Sequence, residues 1–258
     1  MSDWGLGRYE LTAVELEPVA LRVVAMAAPL RGETVVDIAC GTGNAALLAA
    51  RFKAKVTGFD LTPRLLEVAR HRAEAEGLNI SFVQGNAEQL SFPDGTFDVA
   101  LSIFGLIFAS SPEKAFSEMV RVLRPGARAF FTVWLPGGPI DSMVNVCVKH
   151  VNAATGQTPD PSRLQWHDEA AVRHLADQNG VTVKFHEGEL EFSDDSPEAF
   201  LKRNQENHPM SVATRPLLEE AGTFDAVSEK SLQVLRAGNE DPGAFKVTSR
   251  YRVVEVRR

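Results

Sequence analysis

The stretch Thr34-Val35-Val36-Asp37-Ile38-Ala39-Cys40-Gly41-Thr42-Gly43-Asn44-Ala45-Ala46 decides the fold. Its opening residues are β-branched around a single acid, the pattern of a short buried strand. Small residues then make a turn, and helical spacing takes over through Phe52, so a strand runs through a tight loop into a helix. In an open α/β sheet such a junction presents backbone N–H groups to a ligand at the carboxyl end of the strand. Gly41-Thr42-Gly43-Asn44-Ala45-Ala46 also satisfies a dinucleotide fingerprint, which by itself leaves open a nicotinamide cofactor or a turn that only packs.

The same alternation extends in both directions. Upstream, Leu11–Ala28 is predicted as one helix, turned into the first strand by Gly32-Glu33. Downstream, Lys55–Phe59, Ile80–Val83, Phe97–Phe104 and Arg128–Leu135 read as strands. Between them lie a helix capped by Thr62 with Pro63 first, and another opened by Ser111-Pro112 and ended by Arg124-Pro125-Gly126. This is the rhythm of βαβ units. Beyond Pro136-Gly137-Gly138-Pro139 it stops, giving a helix over about Asp141–Ala154, a polar loop Thr155–Arg163 containing Pro159 and Pro161, and a helix over Asp168–Asn179. Val181–Phe192 is a strand whose apolar parity changes at Gly188, as a bulge would cause. Ser196–Asn207 and Ser211–Ala237 are predicted helices, and Phe245–Val256 is a last strand paired with Val181–Phe192.

Composition excludes several classes. With 258 residues, 44% hydrophobic, 24% charged and 8% aromatic, the chain is neither collagen, a long coiled coil nor disordered. Its 27 basic and 34 acidic residues leave −7, which disfavours nucleic acid as a partner. The longest apolar runs, Val99–Ala109 and Ala129–Leu135, fall well short of the roughly 20 residues of a membrane span. Cys40 and Cys147 are too few for a disulfide framework or a four-ligand zinc site, and the histidines lack metal-type spacing, so no metal is expected. Met1-Ser2-Asp3-Trp4-Gly5 has no basic start and no apolar core of a secretory signal, which makes a cytoplasmic location the expectation.

Two carboxylates distinguish between ligands. Asp37 ends the first strand beside the loop, where it would repel a pyrophosphate but attract an ammonium or sulfonium. Asp60 ends the second strand, where a carboxylate accepts hydrogen bonds from ribose hydroxyls. A ribose with a cationic, phosphate-free remainder describes S-adenosylmethionine. The blocks Val35–Gly43, Gly58–Pro63, Gly85–Pro93, Phe97-Asp98-Val99 and Val122–Gly126 occur in order. Over about residues 1–135 the chain thereby resembles class I S-adenosylmethionine-dependent methyltransferases, in the branch that includes ubiquinone and menaquinone biosynthetic enzymes.

The resemblance implies an α/β fold: a Rossmann-like seven-stranded, mostly parallel sheet with an antiparallel last strand pair and a helical substrate cap. It implies one domain over 1–258, with a cofactor core at about 30–135 and a cap from about 1–28, 137–165 and 196–239. Asp37, Ala39, Gly41 and Gly43 would hold the methionine end, Asp60 the ribose, and Leu61 the adenine face. Asn86-Ala87 stands where an Asp-Ala pair reads the adenine edge, and the amide oxygen can still accept from the amino group. Ala39 replaces the first loop glycine, tolerable if its φ is negative. The Ser102 backbone would face the methionine group, and Trp4 and Tyr9 resemble an N-terminal element that closes over the cofactor.

The implied reaction is methyl transfer to an O, N or C nucleophile of a small-molecule acceptor, apolar or aromatic, releasing S-adenosylhomocysteine. Met143, Val144, Val146, Trp166 and Phe200 are candidate pocket residues, and His150 and His167 are candidate bases. Arg70 and Arg72, with Glu67 and Glu74, read as an ordinary charged helix face. Replacing Asp60 by Ala is expected to weaken cofactor binding and leave the fold intact. The rival readings are a nicotinamide-dependent oxidoreductase and a non-catalytic S-adenosylmethionine-binding protein.

Overall fold

The β-branched segment Thr34–Ile38 forms strand β1, with Val35, Val36 and Ile38 wholly buried. In the computed structural model, which describes residues 4–158, 160 and 163–258, the strand lies within a seven-stranded sheet. The elements run α1 (Tyr9–Glu15), α2 (Glu17–Ala27), β1, α3 (Asn44–Arg51), β2 (Lys55–Asp60), α4 (Pro63–Ala75), β3 (Ile80–Gln84), β4 (Phe97–Ser102), α5 (Pro112–Val122) and β5 (Leu123–Trp134). There follow α6 (Gly138–Thr155), α7 (Glu169–Gln178), β6 (Thr182–Asp194), α8 (Pro197–Asn207), α9 (Pro209–Glu220), α10 (Phe224–Ala237) and β7 (Phe245–Arg257).

The strand order is β3-β2-β1-β4-β5-β7-β6. β1 pairs in parallel with β2 and β4, β2 with β3, and β4 with β5, whereas β7 runs antiparallel to β5 with Trp134 opposite Tyr251. The order reverses at β1, which places the crevice for a ligand at the carboxyl ends of β1 and β4. The α/β class, the mostly parallel sheet and the position of the last strand pair are therefore as the sequence reading expects.

Two compact units can be distinguished by internal packing. The sheet unit comprises Leu16–Trp134, Leu164–Gly188 and Tyr251–Arg258, and the helical unit comprises Met1–Glu15, Leu135–Arg163 and Glu189–Arg250. In the sheet unit α5 and α7 bury Phe116, Met119, Val172 and Leu175 in one cluster with Phe131 and Val254, and α2 packs on α3. α2, expected in the cap, thus belongs to the sheet unit. In the helical unit α6 packs on α9 and α10, and Phe200 of α8 meets Phe192 and Phe245.

Several boundaries differ from the sequence reading. The first helix is two, broken at Leu16, because Pro18 has no N–H to donate and its ring crowds the carbonyl four residues back. Ser211–Ala237 is likewise two helices: α9 ends at Glu220, Gly222 follows at φ 66°, and α10 starts at Phe224. β4 stops at Ser102, since Phe104 takes φ 52° and leaves the extended region. The parity change in β6 is visible as burial of Val183 before Gly188 and of Leu190 and Phe192 after it. Pro159 and Pro161 of the expected loop lie outside the described residues. Among the described residues no helix is long and apolar enough to cross a membrane.

Candidate cofactor site

The loop after β1 is wound by left-handed residues, with Ala39 at φ 55°, Gly41 at 53° and Gly43 at 88°. Gly43 is the N-cap of α3, and its N–H donates to the Cys40 carbonyl at 2.8 Å. Asp60, at the end of β2, takes the Gly41 N–H on Oδ2 and the Thr62 N–H on Oδ1, both at 2.8 Å. The Thr62 hydroxyl also bonds Asp60, which explains why Thr62 occupies the cap position of α4 without capping it through its side chain.

Asp37 is 1% exposed. Its Oδ2 accepts the Ala46 N–H in the first turn of α3 at 2.9 Å, whereas Oδ1 is buried with no hydrogen-bond partner. Burial pushes its carboxyl up to about 8, the nearby Asp60 adds to the shift, and the Ala46 N–H opposes it. Burial raises Asp60 as well, against the backbone N–H groups of Thr62 and Gly41. Among the described residues neither acid forms an ion pair. A buried carboxylate oxygen without a donor is costly, and a protonated amine supplies both the missing donor and the missing charge. These residues therefore fit the methionine end of S-adenosylmethionine and oppose a pyrophosphate.

The adenosine side is built from neighbouring segments. Leu61 is 44% exposed, an apolar side chain left open next to Asp60. Asn86 is half-buried and its Oδ1 already accepts the Glu88 N–H at 2.9 Å, so one lone pair of the amide oxygen is committed to the local turn. Ala87 packs against the core. Ser102 is fully buried, and its Oγ accepts the Leu106 N–H at 3.0 Å, fixing the turn after β4.

The methyltransferase-domain family model matches residues 35–126. Protein Rv1403c of Mycobacterium tuberculosis is 40% identical over 188 residues, covering 72% of this chain and 68% of that one. Demethylmenaquinone methyltransferase of Thermus thermophilus is 40% identical over 109 residues, 42% of this chain and 50% of that enzyme. The YcgJ protein of Bacillus subtilis shares the fold at TM-score 0.62 and 19% identity, over 95% of this chain and 98% of that one. The chain belongs to the class I S-adenosylmethionine-dependent methyltransferases. Its cofactor is S-adenosylmethionine, and the nicotinamide reading is set aside.

The methyltransferase departs from expectation at Ala39, whose φ is positive. The Ala39 methyl is closely packed: a Cβ on Gly105 would lie 2.5 Å from the Ala39 Cβ, so position 105 has no room for a side chain. Left-handed backbone costs an L-residue about 1–2 kcal/mol, partly offset by the chain entropy that glycine loses on folding. Ala39→Gly is therefore expected to raise stability by up to about 1 kcal/mol, read as a Tm increase of roughly 2–4 °C by scanning calorimetry. An unchanged or lower Tm would show that the Ala39 methyl contact outweighs the strain.

The other candidates separate by unit. Tyr9 lies in the helical unit, its ring edge-on to Trp4 at 5.6 Å. His150, also there, has Nδ1 2.8 Å from the Val146 carbonyl of its own helix. His167 is exposed in the sheet unit, and its backbone carbonyl accepts from Arg252 at 2.9 Å. Of the five apolar pocket candidates, Met143, Trp166 and Phe200 are core residues at 7%, 8% and 3% exposure, whereas Val144 is 47% exposed. The sequence reading missed His208, whose Nδ1 accepts the Met210 N–H at the head of α9 and whose imidazolium burial destabilises to about 4. It also missed Arg72. That guanidinium does not sit on an ordinary charged face, for Nη1 donates to the Thr42 carbonyl and to Asn44 Oδ1, both at 2.8 Å.

Proposed function

We propose that this methyltransferase acts on an O, N or C nucleophile of a small apolar or aromatic metabolite. The observation that carries the cofactor side is the orphaned Oδ1 of Asp37 beside the glycine loop. In this reading Asp37 holds the ammonium of the methionine end, with Ala39, Gly41 and Gly43 shaping the backbone around it. Asp60 accepts the ribose hydroxyls through the lone pairs that Gly41 and Thr62 leave open. Leu61 and Ala87 flank the adenine, Asn86 accepts from its amino group, and the Ser102 backbone faces the methionine group. A small acceptor is supported by the Thermus thermophilus relative, whose named substrate is demethylmenaquinone.

S-adenosylmethionine, when bound, supplies a methyl already activated by positive sulfur, and the departing thioether needs no proton. The work left to the chain is alignment. Holding two reactants at near-attack distance contributes about 7–11 kcal/mol, more than the 10²–10⁴-fold typical of a general base. For a hydroxyl acceptor, His150 or His167 takes the proton; for a carbon or amine acceptor neither is needed.

The test is a panel of small acceptors, from hydroxynaphthalenes to amines and carboxylic acids, assayed with methyl-labelled cofactor beside protein and RNA mixtures. Label is expected in a small molecule, and His150→Ala and His167→Ala are each expected to retain turnover to within about 10⁴-fold. Label confined to protein or RNA would refute the acceptor class. A larger loss in either variant, with both ligands still bound, would refute the primacy of alignment.

A further inference from the structure

We propose that Arg72 is a positioning residue: it holds the glycine loop in the conformation that receives the methionine end of the cofactor, and so sets affinity for that end and not for adenosine. The proposal rests on the assignment of the loop to the methionine end made above.

The glycine loop lies against one face of α4. Leu65, Leu66, Ala69 and Ala73 are the buried side of that helix, and Arg72 is one turn beyond Ala69. A Cβ on Gly43 would sit 3.3 Å from the Ala69 Cβ, so helix and loop are already in contact there. Arg72 Nη1 then donates to the Thr42 carbonyl at 2.8 Å, to the Thr42 hydroxyl at 3.3 Å and to Asn44 Oδ1 at 2.8 Å. Thr42 is 2% exposed, which shields its carbonyl from competing water.

Peptide geometry gives these bonds their leverage. The Thr42 carbonyl and the Gly43 N–H belong to one planar trans unit and point in opposite directions. Arg72 holds the carbonyl, and the Cys40 carbonyl takes the N–H at 2.8 Å, so the plane is fixed at both ends. The Gly41 N–H is fixed in turn by Asp60. Glycines at φ 53° and 88° have many other conformations open to them. Without the guanidinium the Thr42–Gly43 peptide keeps only its Cys40 anchor, and more of the ordering of the loop falls to the moment of binding.

Calorimetry of the full chain with S-adenosylhomocysteine and with adenosine tests this. Arg72→Ala is expected to weaken S-adenosylhomocysteine at least about 10-fold, the loss of one charge-assisted hydrogen bond. Adenosine should change less than about 2-fold, and Arg72→Lys, which keeps a cation and donors on a differently shaped head, should fall between. Equal losses for both ligands would reduce Arg72 to a general structural support, and unchanged binding of both would remove it from the site; either overturns the proposal. If Arg72→Ala does not fold, the ratio of the two affinities in Arg72→Lys decides by the same criterion. A wild-type chain that binds adenosine as tightly as S-adenosylhomocysteine would instead defeat the assignment of the loop itself.

Discussion

Above pH 8, where the Asp37 carboxylate is formed, Asp37→Asn is expected to weaken binding of S-adenosylhomocysteine by roughly 10- to 150-fold while leaving the ligand-free chain at least as stable as wild type. The affinity loss corresponds to one hydrogen bond to a charged group, about 1.5–3 kcal/mol. An amide oxygen can still take the Ala46 N–H, but it offers no charge to an ammonium. Stability moves the other way because the wild-type carboxylate is buried with one oxygen unpaired and a second acid nearby.

The sign of the pH dependence follows. The folded-state pKa of Asp37 lies above the unfolded value, so its contribution to stability is fully present below the unfolded pKa and is lost as pH rises through about 8. The ligand-free protein should lose this contribution as pH rises from about 4 to about 8 and level off above that, and Asp37→Asn should flatten the decline. Cofactor affinity should move oppositely, rising roughly 50-fold from pH 6 to pH 8 as the carboxylate forms. Denaturant melts and calorimetry across this range check both slopes.

Asp60→Ala should have the second large effect, and a broader one than the sequence reading expects. There the acid is a ribose acceptor, and its loss leaves the fold intact. In the structure its carboxylate also receives the N–H groups of Gly41 and Thr62. Removing it strands two donors, each costing about 1–3 kcal/mol where water cannot reach. Urea denaturation should therefore show a loss of about 2 kcal/mol or more. S-adenosylhomocysteine affinity should fall beyond the roughly 10- to 150-fold of one charged contact, since the loop loses its hold at Gly41. A variant with wild-type stability and a small affinity loss would restrict Asp60 to ribose contact.

The alternation of strands and helices and the placement of Asp37 and Asp60 at strand ends were legible because β-branched runs, small-residue turns and the proline and glycine stops all agree over residues 34–135. The break at Leu16 was written in Pro18, but the apolar spacing continues through it and masks the stop. The left-handed backbone of Ala39 was not legible, because an alanine carries no sequence signal for a positive φ. Arg72 was hidden by its own neighbours: Arg70, Glu67 and Glu74 make a charged surface pattern. Only its place between Ala69 and Ala73 on the buried side marks it as different. His208 was hidden because a histidine cap has none of the sequence signature of Ser, Thr or Asp.

Calorimetric titration of the wild-type chain with S-adenosylhomocysteine at pH 7, in two buffers of different ionisation enthalpy, tests the central claim most directly. An acid with a pKa of about 8 that meets an ammonium should release about 0.9 proton on binding, and Asp37→Asn should release none. Binding without proton release, or with the same release in Asp37→Asn, would contradict the account.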